Sequence, residues 1–567
     1  MRLSIRRLVS VALTAAVAGV VLVSVATPAT TPNASTAAPT ATTYIVMYKG
    51  NGVPASAAAS VAKAGGTVVA SYTQIGVVVA ASASSSFAAT LARDSKIEGV
   101  ATSTKPVARV NPLGVATDDS HEPPPELPNA PAGQDSLAPL QWDMRQIKAP
   151  QANAITGGSP AVVVADLDTG LDKDHPDLIP NIDFSKSASC ESGLPDQNPA
   201  AWDDHNGHGT HTAGTIAAAA NGFGITGVAP NVKLAGIKTS NDDGFFFVHM
   251  VVCAFMWSGG AAIDNPATPG LDFPATNGPR VDVTNNSYFM DPYLYNCRND
   301  PGQRLLWKAA KRAIDFAHKQ GVTNVAAEGN QQDDLSHPTF DDISPDFPPG
   351  SEEEREITNA CVVVPVEVNG VIGVTAVGNT PQTDGNDDPT DYLKSYYSSY
   401  GVSTADVTAP GGDFFYGRGT EGQPFGLVLS TWPTEIGCFR GVTEDPPPAG
   451  GANAYCYLQG TSMASPHAAG VAALIISRYG DLDNAQNGKM RPGAVESHMQ
   501  GTADAQPCPT ALPLQGAPGS SRANIPYANS TRPDGSLQEC QGGEGHNSWY
   551  GSGQINALRA VTHDTGN

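Results

Sequence analysis

Apolar positions change their rhythm twice along the chain. After Arg2, Arg6 and Arg7, a largely apolar run from Leu8 to Val25 ends at the small residues Ser24-Val25-Ala26. That order predicts a cleaved export signal over residues 1–26. Thr43–Lys49 then reads as a strand and the Ala-rich Ala55–Lys63 as a helix. Thr67–Ala81 holds two β-rich runs around Thr73-Gln74, Ser84–Arg93 reads as a helix, and Ile97–Ala101 as a short strand. The series β-α-β-β-α-β over 43–110 predicts a small α+β module of ferredoxin-like type. Residues 111–135, rich in proline and acid, read as an exposed linker.

From about residue 136 the pattern changes: Val162–Leu167 is an almost continuously apolar strand, and Val232–Lys238, Val281–Asn285, Val322–Ala327, Val371–Val377 and Asp406–Ala409 are further strand candidates. Helical stretches alternate with several of them at Val248–Trp257, Leu305–Gln320 and Met463–Ile476. Strands buried on both faces and separated by helices predict an α/β body over 136–564, a parallel sheet with helices on both sides. Ligand sites of such sheets lie beyond the carboxyl ends of strands. The stretches 183–204, 258–279, 331–360 and 412–455 read as long surface loops.

Composition narrows the partners. The 567 residues carry a formal charge of −23, and the first 135 hold nine basic and seven acidic side chains, so the acidity belongs to the body. Such a surface disfavours nucleic acid and anionic membranes. After the signal, no run is long and apolar enough to span a bilayer. All eight cysteines lie in the body, an even number that suits disulfides in an exported protein. Sequence proximity predicts Cys438–Cys456 and Cys508–Cys540, leaving Cys253–Cys297 and Cys190–Cys361 for the rest. The absence of a CxxC pair argues against zinc.

Three segments carry chemistry. Val164-Ala-Asp-Leu-Asp-Thr-Gly170 ends a strand on an acid. Asn206-Gly-His-Gly-Thr-His-Thr-Ala-Gly214 leads a histidine into a helix. Gly460-Thr-Ser-Met-Ala-Ser-Pro-His467 sets Ser462 at the head of another. A serine hydroxyl near neutral pH needs a base to take its proton, and that base needs a carboxylate to orient it. Val325-Ala-Ala-Glu-Gly-Asn330 ends a further strand with an amide able to donate to an oxyanion.

The order Asp168, His208, Ser462 resembles that of the subtilases, subtilisin-like serine proteases made as secreted bacterial precursors. The likeness runs from Gln141-Trp142 to Val561. It includes Ile147-Lys-Ala-Pro-Gln151, His175-Pro-Asp-Leu178, Gly227-Val-Ala-Pro230 and Tyr550-Gly-Ser-Gly-Gln-Ile-Asn-Ala557. The resemblance implies Asp168 as the orienting acid, His208 as general base and acid, Ser462 as nucleophile and Asn330 as oxyanion donor. It implies pairing of extended substrate along Ser287-Tyr288-Phe289. It also implies that the 43–110 module is an inhibitory propeptide, removed by self-cleavage in the 102–140 region. Expected partners are therefore protein or peptide substrates and the chain's own propeptide, with secretion and a monomeric state. No cofactor is needed for the chemistry. Asp177 and Asn221 match positions that hold a structural calcium in related proteases.

Other readings stand beside these. Asp166 shares a strand face with Asp168 and is expected to be paired or protonated. His211, His175 and His467 are expected to be structural. Asp203 and Asp204 are either a solvated loop or an acidic rim near His208. Glu328, Phe289 and Gly244-Phe-Phe-Phe247 depart from the family pattern by their bulk or charge, which leaves cleavage preference open. They also give some footing to a non-catalytic binding protein on the same scaffold. An esterase or amidase using the same triad ranks lower.

Overall fold

The computed structural model describes residues 41–104, 134–263 and 280–565, apart from 383–390, 415–425, 439, 444–453, 485–487 and most of 510–534. The expected signal (1–26) and nearly all of the linker (111–135) lie outside the described residues. So do parts of the loops 258–279 and 412–455.

Residues 42–104 form the expected β-α-β-β-α-β module: Thr42–Tyr48, Ala57–Lys63, Gly66–Tyr72, Val77–Ser82, Phe87–Leu91 and Ile97–Thr104. Its antiparallel sheet places Thr42–Tyr48 between Val77–Ser82 and Ile97–Thr104, with Gly66–Tyr72 outermost. One sheet face buries Val46, Val78 and Ala80 on its own helices through Val61, Phe87 and Leu91. The other face shares a core with the body, where Ile45, Met47, Val77 and Val79 join Val251, Val252 and Phe255. This explains the helix Val248–Ser258, buried at every residue. A helix apolar all round must be covered all round.

The body is built on an eight-stranded sheet. In spatial order it runs Tyr392–Lys394, Val371–Pro381, Thr323–Ala327, Val283–Asn286, Val163–Asp168, Lys233–Lys238 and Ala188–Ser189, with Val407–Pro410 also pairing to Val371–Pro381. Every pairing is parallel except that of Tyr392–Lys394, which runs antiparallel. The strand Val163–Asp168 meets Lys233–Lys238 on one side and Val283–Asn286 on the other. The chain thus reverses its direction of travel across the sheet there, the position where such folds open a crevice.

Helix Pro301–Lys319 has proline in its first turn. Its cap, Asp300, accepts a hydrogen bond from the Gln303 N–H at 2.8 Å, and His318 and Lys319 close its last turn. Each feature complements free backbone groups or the helix dipole. Helix Thr461–Tyr479 is buried from Met463 through Ile476.

Two expectations need correction. The stretch 412–455 is more than surface loop. Val428–Trp432 and Gly441–Thr443 pair antiparallel with Ala454–Leu458. This small sheet backs the His208 helix: the Thr431 hydroxyl donates to the Thr210 carbonyl at 2.7 Å. The disulfides are Cys190–Cys253, Cys297–Cys361, Cys438–Cys456 and Cys508–Cys540. The two short-range pairs match expectation. The other two do not, because Cys297 and Cys361 are cross-strand partners, and Cys190 meets the buried helix that carries Cys253.

Candidate active site

Three strand ends converge on one cavity of about 260 Å3. Asp168 is the last residue of Val163–Asp168 and is fully buried. His208 opens the helix His208–Ala217, which crosses that strand closely: a methyl group at Gly209 would lie 2.2 Å from the Gly170 carbonyl oxygen. Gly207, just before it, has φ of +102°, and a side chain there would strike the Trp432 indole at 2.4 Å. Only glycine suits a position with both constraints.

The His208 Nδ1 and Asp168 Oδ1 atoms are 2.7 Å apart, and the Thr169 N–H donates to the same oxygen at 2.7 Å. Burial alone would lower the His208 pKa. The Asp168 charge and hydrogen bond, aided by Asp166 and Asp204, outweigh burial and raise it.

Ser462 sits in the first turn of its helix and lines the same cavity as His208. Its hydroxyl donates to the Ser287 carbonyl at 3.1 Å rather than to the imidazole. Asn330 follows the strand Thr323–Ala327. Its Oδ1 accepts from the Thr461 N–H at 2.9 Å and from the Thr461 hydroxyl at 3.0 Å. With the oxygen so held, the Nδ2 end is the donor that remains. A Cβ placed on Gly460 would lie 3.5 Å from the Ser462 nitrogen and 3.6 Å from Asn330 Nδ2. Two N–H groups thus flank one small volume beside the hydroxyl.

The remaining residues fall into place around this centre. Asp166 is both paired and poised to hold a proton. The Thr212 hydroxyl donates to its Oδ2 at 2.6 Å and Asn285 Nδ2 to its Oδ1 at 2.8 Å, while burial and then the Asp168 charge push its pKa well up. His211 is structural: its Nε2 bonds the Cys456 carbonyl at 2.9 Å, and burial lowers its pKa to about 3. His175 and His467 are likewise bonded inside the body, to the Ala454 carbonyl and to Asp143.

Asp203 and Asp204 form no acidic rim. Asp203 pairs with Lys173 at 2.6 Å. Asp204 is buried and caps the His208 helix, accepting from the N–H groups of Asn206, Gly207 and Thr210 at 2.9, 3.0 and 2.9 Å. Glu328 does not line the cavity, although its neighbours Ala327 and Gly329 do. Burial, then the charges of Glu367 and Asp406, hold its carboxyl well above the usual range.

The aromatic departures do not fill the cleft. Tyr288 stacks flat on Phe246 with ring centres 4.3 Å apart, and Phe347 packs edge-on against Phe245 and Phe247. Ser287, Tyr288 and Phe289 do line the cavity, opposite Gly244-Phe245-Phe246.

The two residues of the calcium expectation meet, but as donor and acceptor. Asp177 Oδ1 accepts from Asn221 Nδ2 at 2.9 Å. Its Oδ2 accepts from the Ile225 N–H at 3.0 Å and the Tyr455 hydroxyl at 3.1 Å. A cation would face N–H and O–H donors there instead of lone pairs. Burial raises the Asp177 pKa to about 8. Among the described residues no cluster of three histidine, cysteine or acidic side chains could hold a metal.

Thr461 and the carboxyls Asp291 and Asp346 in the cavity wall were not singled out from sequence, and Asp204 was not read there as a helix cap. Only Thr461, inside the serine motif, carried a signal there.

A buried acid–imidazole pair facing a helix-borne serine on a parallel α/β sheet defines a serine hydrolase of subtilisin-like fold. The chain belongs to the subtilase family, whose peptidase S8 model matches residues 159–542. It is 30% identical to subtilisin DY of Bacillus licheniformis over 342 residues, covering 60% of this chain and 85% of that protein. It is 29% identical to fervidolysin of Fervidobacterium pennivorans over 342 residues, but the match spans only 38% of fervidolysin. The fold also resembles the epidermin leader peptide processing serine protease of Staphylococcus aureus: TM-score 0.57 and 20% identity, covering 92% of this chain and 98% of that one.

Proposed function

We propose that the protein is a secreted serine endopeptidase that hydrolyses peptide bonds through an acyl-enzyme on Ser462. The observation that carries this reading is the 2.7 Å Asp168–His208 contact opening onto the cavity that Ser462 and Asn330 line. A turn about the Ser462 Cα–Cβ bond swings Oγ from the Ser287 carbonyl toward the imidazole. His208 Nε2 then takes the hydroxyl proton as Oγ bonds the substrate carbonyl carbon. The resulting oxyanion receives the Ser462 N–H and Asn330 Nδ2. Collapse breaks the C–N bond, and His208 returns the proton to the leaving amine. Water, deprotonated by the same imidazole, then cleaves the ester. Asp168 orients the imidazole and stabilises its cation. Extended substrate lies along Ser287-Tyr288-Phe289.

The 42–104 module serves as the propeptide in this reading. Support comes from its shared core with the body, from Glu98 paired with Lys308 and Arg312, and from the Tyr72 hydroxyl donating to the Gly193 carbonyl at 2.6 Å. Four disulfides agree with export to an oxidising compartment. Purified Ser462→Ala precursor should stay uncut while wild type processes itself, and a fluorophosphonate should label wild type at Ser462 alone. Self-processing by the alanine variant defeats the mechanism.

A further inference from the structure

The wall of the active-site cavity carries an acid pair that the reaction does not use. Asp291 follows the substrate-facing segment Ser287–Phe289, and Asp346 arrives from the distant stretch 331–360. The backbone brings them together. Asp291 is joined to Phe246 in both directions: its N–H donates to the Phe246 carbonyl at 3.0 Å, and its Oδ2 accepts from the Phe246 N–H. The Asp346 N–H donates to the Pro292 carbonyl at 3.0 Å. The carboxyls come within hydrogen-bonding reach of one another, and both line the cavity that Ser462 and Asn330 line. Asp291 is 4% exposed. Asp346 is half-buried, with its Oδ1 inside the wall.

Two buried carboxyls side by side repel and lose solvation, a cost that persists only where something offsets it. A proton shared between the two carboxyls, both held above the usual range, offsets part of it. Among the described residues the lining holds Asp243, Asp291 and Asp346 beside His208, but no lysine or arginine. A cationic side chain entering the cavity would offset the remaining charge. Tyr288 and Phe246, stacked on each other, line the same cavity. The body's strong net acidity favours the approach of cationic peptide.

Resting on the proposed endopeptidase activity, we propose that Asp291 and Asp346 select an arginine or lysine side chain on the substrate residue whose carbonyl Ser462 attacks. A forked guanidinium matches two adjacent carboxyls. The cavity places them beside the groups that hold that carbonyl, which is why the choice falls on this residue and not a more remote one. The aromatic walls bound the slot, so the charged tip and not bulk decides entry.

The test compares peptide aminocoumarins that differ only at this residue: arginine, its neutral isostere citrulline, and leucine. The mature protein should prefer arginine to citrulline by about 10- to 100-fold in kcat/KM, the size expected of a charge-assisted hydrogen bond lost from a buried site. Asp346→Asn should bring that ratio to within a few-fold, chiefly by lowering kcat/KM for the arginine peptide. Asp291→Asn should act the same way if it folds. A wild-type ratio near one, or a ratio untouched by Asp346→Asn, overturns the inference, and the wild-type measurement alone suffices if the variants do not fold. Fluorophosphonate labelling of Ser462 keeps the two readings apart. Labelling with charge-blind cleavage defeats this inference only, whereas no labelling and no cleavage of any peptide defeats the proposed activity as well.

Discussion

Ser287 and Ser462 exchange hydrogen bonds. The Ser462 hydroxyl donates to the Ser287 carbonyl at 3.1 Å, and the Ser287 hydroxyl donates to the Ser462 carbonyl at 3.0 Å. The second bond has a cause in the sequence. Pro466 stands four residues after Ser462 inside the helix and has no N–H to give that carbonyl. Ser287 supplies the missing donor and ties the nucleophile's backbone to the substrate-facing segment. Ser287→Ala should therefore cost about 1 kcal/mol of stability and lower kcat more than it raises KM. Thermal unfolding and steady-state kinetics check both; an unchanged kcat would show that the tie does not position Ser462.

Asn330 offers its amide nitrogen because Thr461 holds its oxygen. Asn330→Ala should reduce kcat by about 100- to 1,000-fold with little change in KM, as for other donors to an oxyanion. Thr461→Val removes one of the two donors that hold the amide oxygen and keeps the backbone N–H, so a smaller kcat loss with wild-type folding is expected. Equal losses in kcat and binding affinity would count against the oxyanion role.

The pH dependence follows from His208. The imidazole must be neutral to accept the serine proton, and its pKa is raised, burial being outweighed by Asp168. Activity should therefore fall on acidification at a pH above the ordinary imidazole value of about 6.5. A kcat/KM profile locates this limb. A midpoint well below 6.5 would contradict the electrostatic picture.

Asp177 sets a different pH dependence, in stability. Burial raises its pKa to about 8 in the folded protein. Between the unfolded value near 4 and about 8, the native state keeps a proton that the unfolded chain has lost. This contribution is thus fully present at low pH and disappears as pH rises through 8. Asp177→Asn should flatten the decline of Tm between pH 5 and 9. A chelator should leave the wild-type Tm unchanged, because Asn221, Ile225 and Tyr455 already satisfy the carboxyl.

The module's grip on the body is partly ionic. Glu98 contacts Lys308 and Arg312, all of them partly exposed. Pairs of this kind contribute about 0.2–1 kcal/mol each. Glu98→Gln in a separately produced 41–104 peptide should weaken its inhibition of the mature protein by about 3- to 10-fold, with the difference fading in high salt. Inhibition titrations at two salt concentrations test this.

Much of this site was legible in sequence because its parts are local. An acid ending an apolar strand, a histidine entering a small-residue helix and a serine after Gly-Thr each sit in a short motif. So do the module's six elements, whose rhythm tracks the pattern of buried residues. What escaped depends on meetings across the fold. Cys297 finds Cys361 because two three-residue strands pair, 64 positions apart. Asp204 was open to reading as a surface acid, since its capping role depends on the chain curling back over its carboxyl. Asp291 and Asp346 carry no shared motif. Phe245, Phe246 and Phe247 stood out in sequence only by their bulk; their packing on Tyr288 and Phe347, beside the cavity, depends on the fold.

The Tyr455 hydroxyl on Asp177 belongs to the polypeptide itself, so it cannot be washed away. Whatever stiffness it lends the loop around residues 221–225 travels with the molecule through dilution, or into surroundings rich in phosphate and citrate. Ion-dependent corners loosen in such media; this one is fastened by the chain's own atoms.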